Sequence, residues 1–207
     1  ASQMRMEDSI CALARSKQCV IVGDQQQLPP SNQFNANTDD DEDEENDLVE
    51  ESILDLATSR FRANRMLKWH YRSRHESLID FSNHNFYQNQ LIIPPSPITT
   101  SAVTTTKVDA YYKGKINIQE KDKLIKDIIP FMLKNIRKGD GDKKSKSCLI
   151  VTMNIFQAES IEDDLNKKKL EYPIIEEYEN SWKDTGEEFT VKNLESVQGD
   201  ERDVIFI

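Results

Sequence analysis

The chain has 207 residues, of which 37% are hydrophobic and 31% are charged, and this length suits one domain or a domain with part of another. No apolar run approaches the roughly 20 residues of a membrane helix, and the first residues lack a signal-peptide core, so the sequence predicts neither a membrane protein nor a secreted one. Three cysteines without CxxC spacing argue against a disulfide framework or a zinc module. They favour a reducing intracellular setting, cytoplasmic or nuclear.

The net charge of −10 comes from one segment, because ten carboxylates and no basic residue lie between Asp39 and Glu51. The low isoelectric point therefore does not exclude nucleic acid as a partner. Residues 31–49 are predicted to be an acidic disordered linker or insertion, because like charges repel and bury nothing; mimicry of nucleic acid is the alternative. Residues 60–75 carry six Lys or Arg and no acid, which gives a locally positive stretch.

Apolar residues at helical spacing predict five helices, at 4–16, 50–58, 74–87, 118–138 and 155–168. Leu78, Ile79, Phe81 and Phe86 are expected to face inward, and Pro130 is expected to kink its helix. Buried strands are predicted at 19–22, 148–152, 189–191 and 203–207, and a weak strand at 108–112. Because apolar strands alternate with helices, the predicted fold class is α/β, a parallel sheet with helices on both faces.

The first predicted strand is followed by the sequence Gly-Asp-Gln-Gln-Gln-Leu-Pro-Pro at 23–30. Ligands of open parallel sheets bind at the carboxyl ends of the strands. A polar loop braced by prolines at such a point can aim Gln27 at a bound phosphate or at its attacking water. For Gly-Asp alone, a surface turn is the alternative explanation.

This octapeptide and two further segments together resemble the Upf-type branch of superfamily 1 helicases. Residues 23–30 resemble motif III of that branch, Trp69–His75 the segment around its Tyr-Arg pair, and Glu195–Ile207 its motif V. Residues 1–3 resemble the sequence that follows the Walker B acids. The resemblance runs from end to end, and the order and spacing of the motifs agree.

The resemblance implies a RecA-like fold that is truncated at both ends. Residues 1–30 would be the C-terminal end of the first RecA-like domain, and residues 50–207 an incomplete second RecA-like domain. In this family ATP lies between the two domains, so the rest of the chain is an implied partner. No GxxxxGK[ST] sequence occurs among the six glycines, so ATP and Mg²⁺ would both need the missing first domain.

The resemblance also implies roles for eight residues. Gln27 would sense the γ-phosphate and Arg72 would reach it across the cleft, as catalytic residues. The nucleotide would be contacted by Tyr71, Gln198, Gly199 and Glu201, and the nucleic-acid backbone by Thr152 and Ser196. The planar guanidinium of arginine suits phosphate oxygens, and such an arginine accelerates phosphoryl transfer by about 10³–10⁵.

Some alternatives remain open at these positions. The alternative to a catalytic Arg72 is a solvated or structural arginine. Trp69 is predicted to lie in the core, and the alternative is that it stacks on a base. Met153 and Asn154 replace the Pro-Tyr that follows the threonine in the family. The residues predict no metal-ligand set within the chain.

The predicted function is that of a fragment of an ATP-dependent helicase or translocase, inactive alone, which acts on single-stranded DNA or RNA. The fragment would contribute γ-phosphate sensing and contacts to the nucleotide and the strand. Two alternatives are a non-catalytic interaction module with a helicase fold and a P-loop NTPase that does not act on nucleic acid.

Overall fold

The computed structural model describes residues 2, 4–27, 52–62 and 64–207, and divides the chain into two compact units, Ala1–Thr105 and Thr106–Ile207. The predicted linker at 31–49 lies outside the described residues. The described helices are α1 (Met6–Arg15), α2 (Ile53–Arg60), α3 (Asp80–Asn85), α4 (Ile118–Lys134), α5 (Ile155–Lys168) and α6 (Ile174–Trp182). The described strands are β1 (Cys148–Thr152), β2 (Thr190–Asn193) and β3 (Val204–Phe206).

A parallel three-stranded sheet forms the centre of the second unit, in the order β2-β1-β3. Ile150 of β1 pairs with Val191 of β2 on one side and with Phe206 of β3 on the other. All five residues of β1 are buried, as expected for a central strand. The three apolar runs predicted for this unit at 148–152, 189–191 and 203–207 therefore form one sheet, which confirms the α/β fold class.

Successive side chains of β1 point to opposite faces of the sheet, so both faces need to be covered. Cys148 and Ile150 belong to a core to which α4, α5 and α6 contribute Ile125, Ile128, Met132, Ile161, Leu165, Ile175, Tyr178 and Trp182. Leu149 and Val151, on the other face, are only 0% and 4% exposed. Both faces of the central strand are thus closed to solvent.

Helix α4 runs through Pro130, which the sequence predicted as a kink site. Pro130 is exposed, so the hydrogen bond that proline cannot make faces water rather than the core. The helix ends at Lys134, before the predicted 138, because Asn135 turns the chain: its side-chain amide donates to Phe131 O (2.8 Å) and its Oδ1 accepts from Lys146 N (3.1 Å).

Helix α6 was absent from the sequence prediction. Its buried residues Ile175, Tyr178 and Trp182 recur at a spacing of three and four, which is a helical signal that could have been read. Two of them also anchor the helix by polar atoms, since Tyr178 donates to Lys146 O (2.9 Å) and Trp182 Nε1 donates to Asn135 O (3.2 Å).

In the first unit, α2 begins in a capping box. Ser52 Oγ accepts from Asp55 N (3.2 Å), while Asp55 Oδ2 accepts from Ser52 N (3.3 Å). Ile53 N also donates to Met4 O (3.0 Å), which ties the start of α2 to the residue two before α1. The helix predicted at 4–16 is confirmed as α1, and the described part of the one predicted at 50–58 is confirmed as α2, while residues 50 and 51 lie outside the described residues.

Three local predictions are wrong. The predicted buried strand at 19–22 is neither a strand nor buried, since Val20 and Val22 are 81% and 62% exposed. The segment at 108–112 is likewise not a strand. The predicted helix at 74–87 is a 3₁₀ turn, Glu76–Leu78, followed by α3, and three of its expected inward residues are exposed: Leu78, Phe81 and Phe86. The apolar periodicity of this segment predicts burial, but no surface among the described residues covers these side chains.

No helix in the described ranges is long and apolar enough to cross a membrane.

The core of the second unit yields a stability prediction. Ile128→Ala removes a side chain that is 0% exposed, whereas Ile118→Ala trims a residue that lies in the same helix but is 50% exposed. We expect the first substitution to lower the free energy of unfolding by about 2–5 kcal/mol and the second by less than about 1 kcal/mol. Urea unfolding of the chain measures both, and equal losses would contradict the assigned core.

Candidate functional site

The loop that carries Gln27 is organised by Asp24. Asp24 Oδ1 accepts from Gln26 N (3.0 Å), and its Oδ2 accepts from the side-chain amide of Gln27 (3.2 Å). The backbone closes the same turn, because Gln27 N donates to Asp24 O (3.2 Å). Gln27 is exposed and Asp24 half-buried, so the carboxylate fixes an amide that faces solvent.

Gly23 sets how closely this loop approaches α2. A Cβ built on Gly23 would lie 2.9 Å from Leu54 Cδ2 and 3.1 Å from Ser2 N. The second contact is to backbone, which cannot rotate away as a side chain can. Packing alone therefore crowds any side chain at this point of the motif, whatever the role of Gly23 toward a ligand.

A third group reaches Asp24 from a distant part of the sequence. The hydroxyl of Tyr87 donates to Asp24 Oδ2 at 2.5 Å. Burial, reinforced by this carboxylate, raises the pKa of Tyr87 to about 12. Neither Asp24 nor Tyr87 was among the predicted site residues. Asp24 lies within the motif that was read, whereas no sequence signal links Tyr87 to it.

Tyr71 and Arg72 lie together at the tip of a tight turn. His70 Nε2 accepts from Ser73 N (3.2 Å) and lies 2.7 Å from Ser73 Oγ, so the imidazole closes the turn. Tyr71 is 88% exposed, and Arg72 is exposed as well. The predicted Tyr-Arg pair is thus presented to solvent side by side.

The backbone before this turn is held by Ile92. Ile92 N donates to Lys68 O (2.7 Å) and Ile92 O accepts from His70 N (3.0 Å), which places Trp69 in an isolated parallel bridge. Trp69 is nevertheless 66% exposed, so its assignment to the core is wrong. The bridge holds its main chain and leaves its ring in solvent.

In the second unit, Gly199 occupies a turn between β2 and β3. Asp200 N donates to Val197 O (3.0 Å), and Gly199 has φ of 95°. A Cβ at Gly199 would meet nothing within 4 Å, so the glycine is required here by its backbone conformation rather than by space. Its main chain is consequently open to an approaching group.

Two of the predicted nucleotide residues line one cavity of about 380 Å³, Gly199 and Glu201, together with Gly186, Glu187, Asp200 and Arg202. Arg202 was not predicted. Its guanidinium donates to Glu188 O from Nε (3.0 Å) and from Nη2 (2.7 Å), which fixes it at the cavity wall. Gln198, the fourth predicted nucleotide residue, is half-buried in the same turn as Gly199.

Thr152 and Ser196 lie at one edge, where β1 and β2 end. Thr152 pairs with Asn193 across the two strands, and Leu194 N donates to Thr152 O (3.0 Å). Ser196 Oγ donates to Asn193 Oδ1 (2.5 Å). Thr152 is 6% exposed and its hydroxyl donates to Asn154 O (2.8 Å), whereas Ser196 is exposed.

The eight predicted site residues are divided between the two units. Gln27, Tyr71 and Arg72 belong to the first unit, and the other five predicted residues to the second. Within residues 4–27, 52–62 and 64–207, no three His, Cys, Asp or Glu side chains lie close enough together to hold a metal ion.

Comparison with known proteins gives two relatives. The chain is 33% identical to a Mycoplasma genitalium protein named an uncharacterized ATP-dependent helicase, over 99% of the chain. It is 32% identical to the homologous protein of Mycoplasma pneumoniae over the same share. The chain spans 19% of the length of each relative. No family model matches the chain, and no solved structure does.

The turn at Gly199 yields a second prediction. Gly199→Ala forces a side chain into left-handed backbone, while Gly141→Ala adds the same methyl group where it also meets nothing within 4 Å, without such a φ. We expect the first to cost about 1–3 kcal/mol of stability and the second to be near neutral. Chemical denaturation of both variants measures this, and a neutral Gly199→Ala would contradict the turn geometry.

Tyr87 yields a prediction of pH dependence. Its pKa is raised from 10.0 to about 12 in the folded chain, so the stabilisation is fully present below pH 10. This stabilisation is lost as the pH rises from 10 to 12, because the unfolded chain releases the phenol proton in this interval while the folded chain still holds it. Tyr87→Phe should lose less stability than the parent over this interval in denaturant titrations. Parallel curves for the two proteins would show that Tyr87 is not perturbed.

Proposed function

We propose that the chain is a segment of an ATP-dependent helicase or translocase of the Upf-type branch of superfamily 1. In this proposal it contributes γ-phosphate sensing and contacts to the nucleotide and to single-stranded DNA or RNA. The observation that carries the helicase assignment is the similarity of 99% of the chain to two proteins named ATP-dependent helicases, while the branch and the residue roles rest on the motif resemblance. Because the chain spans 19% of those proteins, the remainder of a longer protein would complete the ATP site.

Exposed donors among the predicted catalytic and nucleotide-binding residues support this proposal. Gln27 presents an amide fixed by Asp24, and Arg72 lies at the tip of a turn closed by His70. The main chain at Gly199 is open to a close approach. Amide, guanidinium and backbone N–H groups are the donors that phosphate oxygens accept from, so each of these groups, taken by itself, suits a phosphate.

The same residues do not make a complete Mg²⁺ site. Magnesium is held by carboxylates together with substrate phosphates and water, and the described residues contain no cluster of three metal-ligating side chains. In the proposal, the carboxylates that hold the metal belong to the rest of the longer protein, and this chain contributes phosphate donors.

A strand of nucleic acid is assigned to the edge formed by Thr152, Asn193 and Ser196. Ser196 is exposed there, and its N–H and its hydroxyl both donate to Asn193 Oδ1 (3.1 and 2.5 Å), so its hydroxyl would have to turn away from Asn193 to donate to a phosphate. Hydroxyl groups contact phosphates without reading bases. Such contacts are compatible with both DNA and RNA, and their affinity falls as salt is raised.

The proposal is tested by ATP hydrolysis in the full-length protein, with and without single-stranded nucleic acid at low salt. Stimulation by the strand is the expected result, and Arg72→Ala should lower kcat by about 10³–10⁵ if Arg72 reaches the γ-phosphate. The isolated 207-residue chain should show no turnover above its own Arg72→Ala variant.

Arg62→Ala is the matched control, because it removes an exposed arginine of the same basic stretch outside the Tyr-Arg turn. It should leave kcat close to that of the parent. ATP hydrolysis that no strand stimulates would favour an NTPase that does not act on nucleic acid. Absence of hydrolysis under every condition would favour a non-catalytic module with a helicase fold.

A further inference from the structure

We propose that Tyr87 is a positioning residue for Gln27, acting through Asp24. The inference rests on the proposed role of Gln27 as a contact to the terminal phosphate of the nucleotide. A tyrosine 63 positions after Asp24 thus fixes the loop that carries Gln27. Tyr87 itself touches neither phosphate nor water in this account.

The contact geometry carries the inference. One carboxylate oxygen, Asp24 Oδ2, accepts both the hydroxyl of Tyr87 at 2.5 Å and the side-chain amide of Gln27 at 3.2 Å. The other oxygen, Oδ1, accepts from Gln26 N at 3.0 Å. The carboxylate is therefore oriented from two sides, by its own loop and by Tyr87. Hydrogen bonds to a charged acceptor are stronger than those between neutral groups.

Tyr87 is held by a turn of its own. Asn83, which is 7% exposed, brackets the turn after α3: its Oδ1 accepts from Leu91 N (3.0 Å) and its backbone O accepts from Asn89 N (2.8 Å). Gln88 and Asn89 complete the turn in left-handed backbone, with φ of 53° and 58°. The phenol thus projects from an ordered element rather than from a flexible loop.

The physical effect follows from what Asp24 would lose without the hydroxyl. Among the described residues, Tyr87 is the donor to Asp24 from outside its own loop, so its removal would leave the carboxylate, and the amide bonded to it, less restrained. A displacement of the phosphate-facing amide by about 1 Å is enough to slow a transfer step about 100-fold in sensitive cases. Nucleotide binding uses several other donors, so the loss should appear in kcat rather than in KM.

The experiment compares Tyr87→Phe with Tyr111→Phe in the full-length protein, by strand-stimulated ATP hydrolysis. Tyr87→Phe keeps the half-buried ring and removes only the hydroxyl, and Tyr111→Phe removes the same hydroxyl from a side chain that is 85% exposed. We expect kcat to fall roughly tenfold in Tyr87→Phe, the size of one hydrogen bond to a charged group, with KM for ATP within about twofold. Tyr111→Phe should match the parent.

A double-mutant cycle separates positioning from general loss of structure. If Tyr87 acts through Asp24, adding Tyr87→Phe to Asp24→Ala should lower kcat no further. Independent, multiplying effects of the two substitutions would overturn the inference, and so would a Tyr87→Phe variant with parental kcat. The melting temperature of each variant is also measured. If Tyr87→Phe lowers both kcat and the melting temperature, and does so equally in the parent and in the Asp24→Ala background, Tyr87 has a structural role only.

The outcome for the parent protein keeps the two proposals apart. A parent that hydrolyses ATP on addition of a strand, with Tyr87→Phe indistinguishable from it, removes the positioning role and leaves the proposed function standing. A parent without strand-stimulated hydrolysis removes the proposed function, and the role of Tyr87 toward a phosphate falls with it.

Discussion

The fold of the second unit depends on covering its central strand, β1, along both edges and on both faces. β1 is bonded to a parallel strand along each edge, and its side chains are buried on both faces. Parallel strands need crossover connections, and helices usually supply them. Once β1 is central, α4, α5 and α6 must present apolar stripes to it, and Ile128, Leu165 and Tyr178 do so. The edge that carries Thr152 and Asn193 is a consequence of the same arrangement.

This dependence explains which part of the fold could be read from the sequence. In the second unit, a run of five apolar or small residues at 148–152 and the amphipathic pattern of α5 both report burial that the structure contains. In the first unit, Val20, Val22 and Phe81 show the same kind of pattern and are exposed. Periodicity records which residues could be buried, and a covering surface decides whether they are. For α6 the signal existed, since Ile175, Tyr178 and Trp182 share one helical face.

Candidate site residues could be proposed from the sequence one at a time, but the contacts that hold them could not. The motif resemblance selected Gln27, Arg72 and Gly199 as candidates, and each lies in a short segment with its own turn chemistry. The bond between Tyr87 and Asp24 joins residues 63 positions apart, and no local pattern encodes such a pairing. Arg202 was missed for a related reason: its anchor, the carbonyl of Glu188, is a backbone atom, which carries no residue signature.

Short turns closed by a side chain hold the candidate site residues in place. Asp24, His70 and Asn193 each accept a hydrogen bond from a backbone N–H two or three residues onward, at Gln26, Ser73 and Ser196. Such turns order the backbone locally, without burying it.

These turns suit the chemistry proposed for the site. A donor meant for a phosphate must stay accessible, so burial cannot be what fixes it. A hydrogen-bonded turn orders the chain while its tip remains in solvent, as at Tyr71 and Arg72. At Gly199 the backbone conformation alone orders an accessible turn: its φ is 95°, and a Cβ built there would meet nothing within 4 Å. The polar turns, rather than the apolar core, therefore position the groups that are proposed to contact phosphate, and the core determines only where each turn begins.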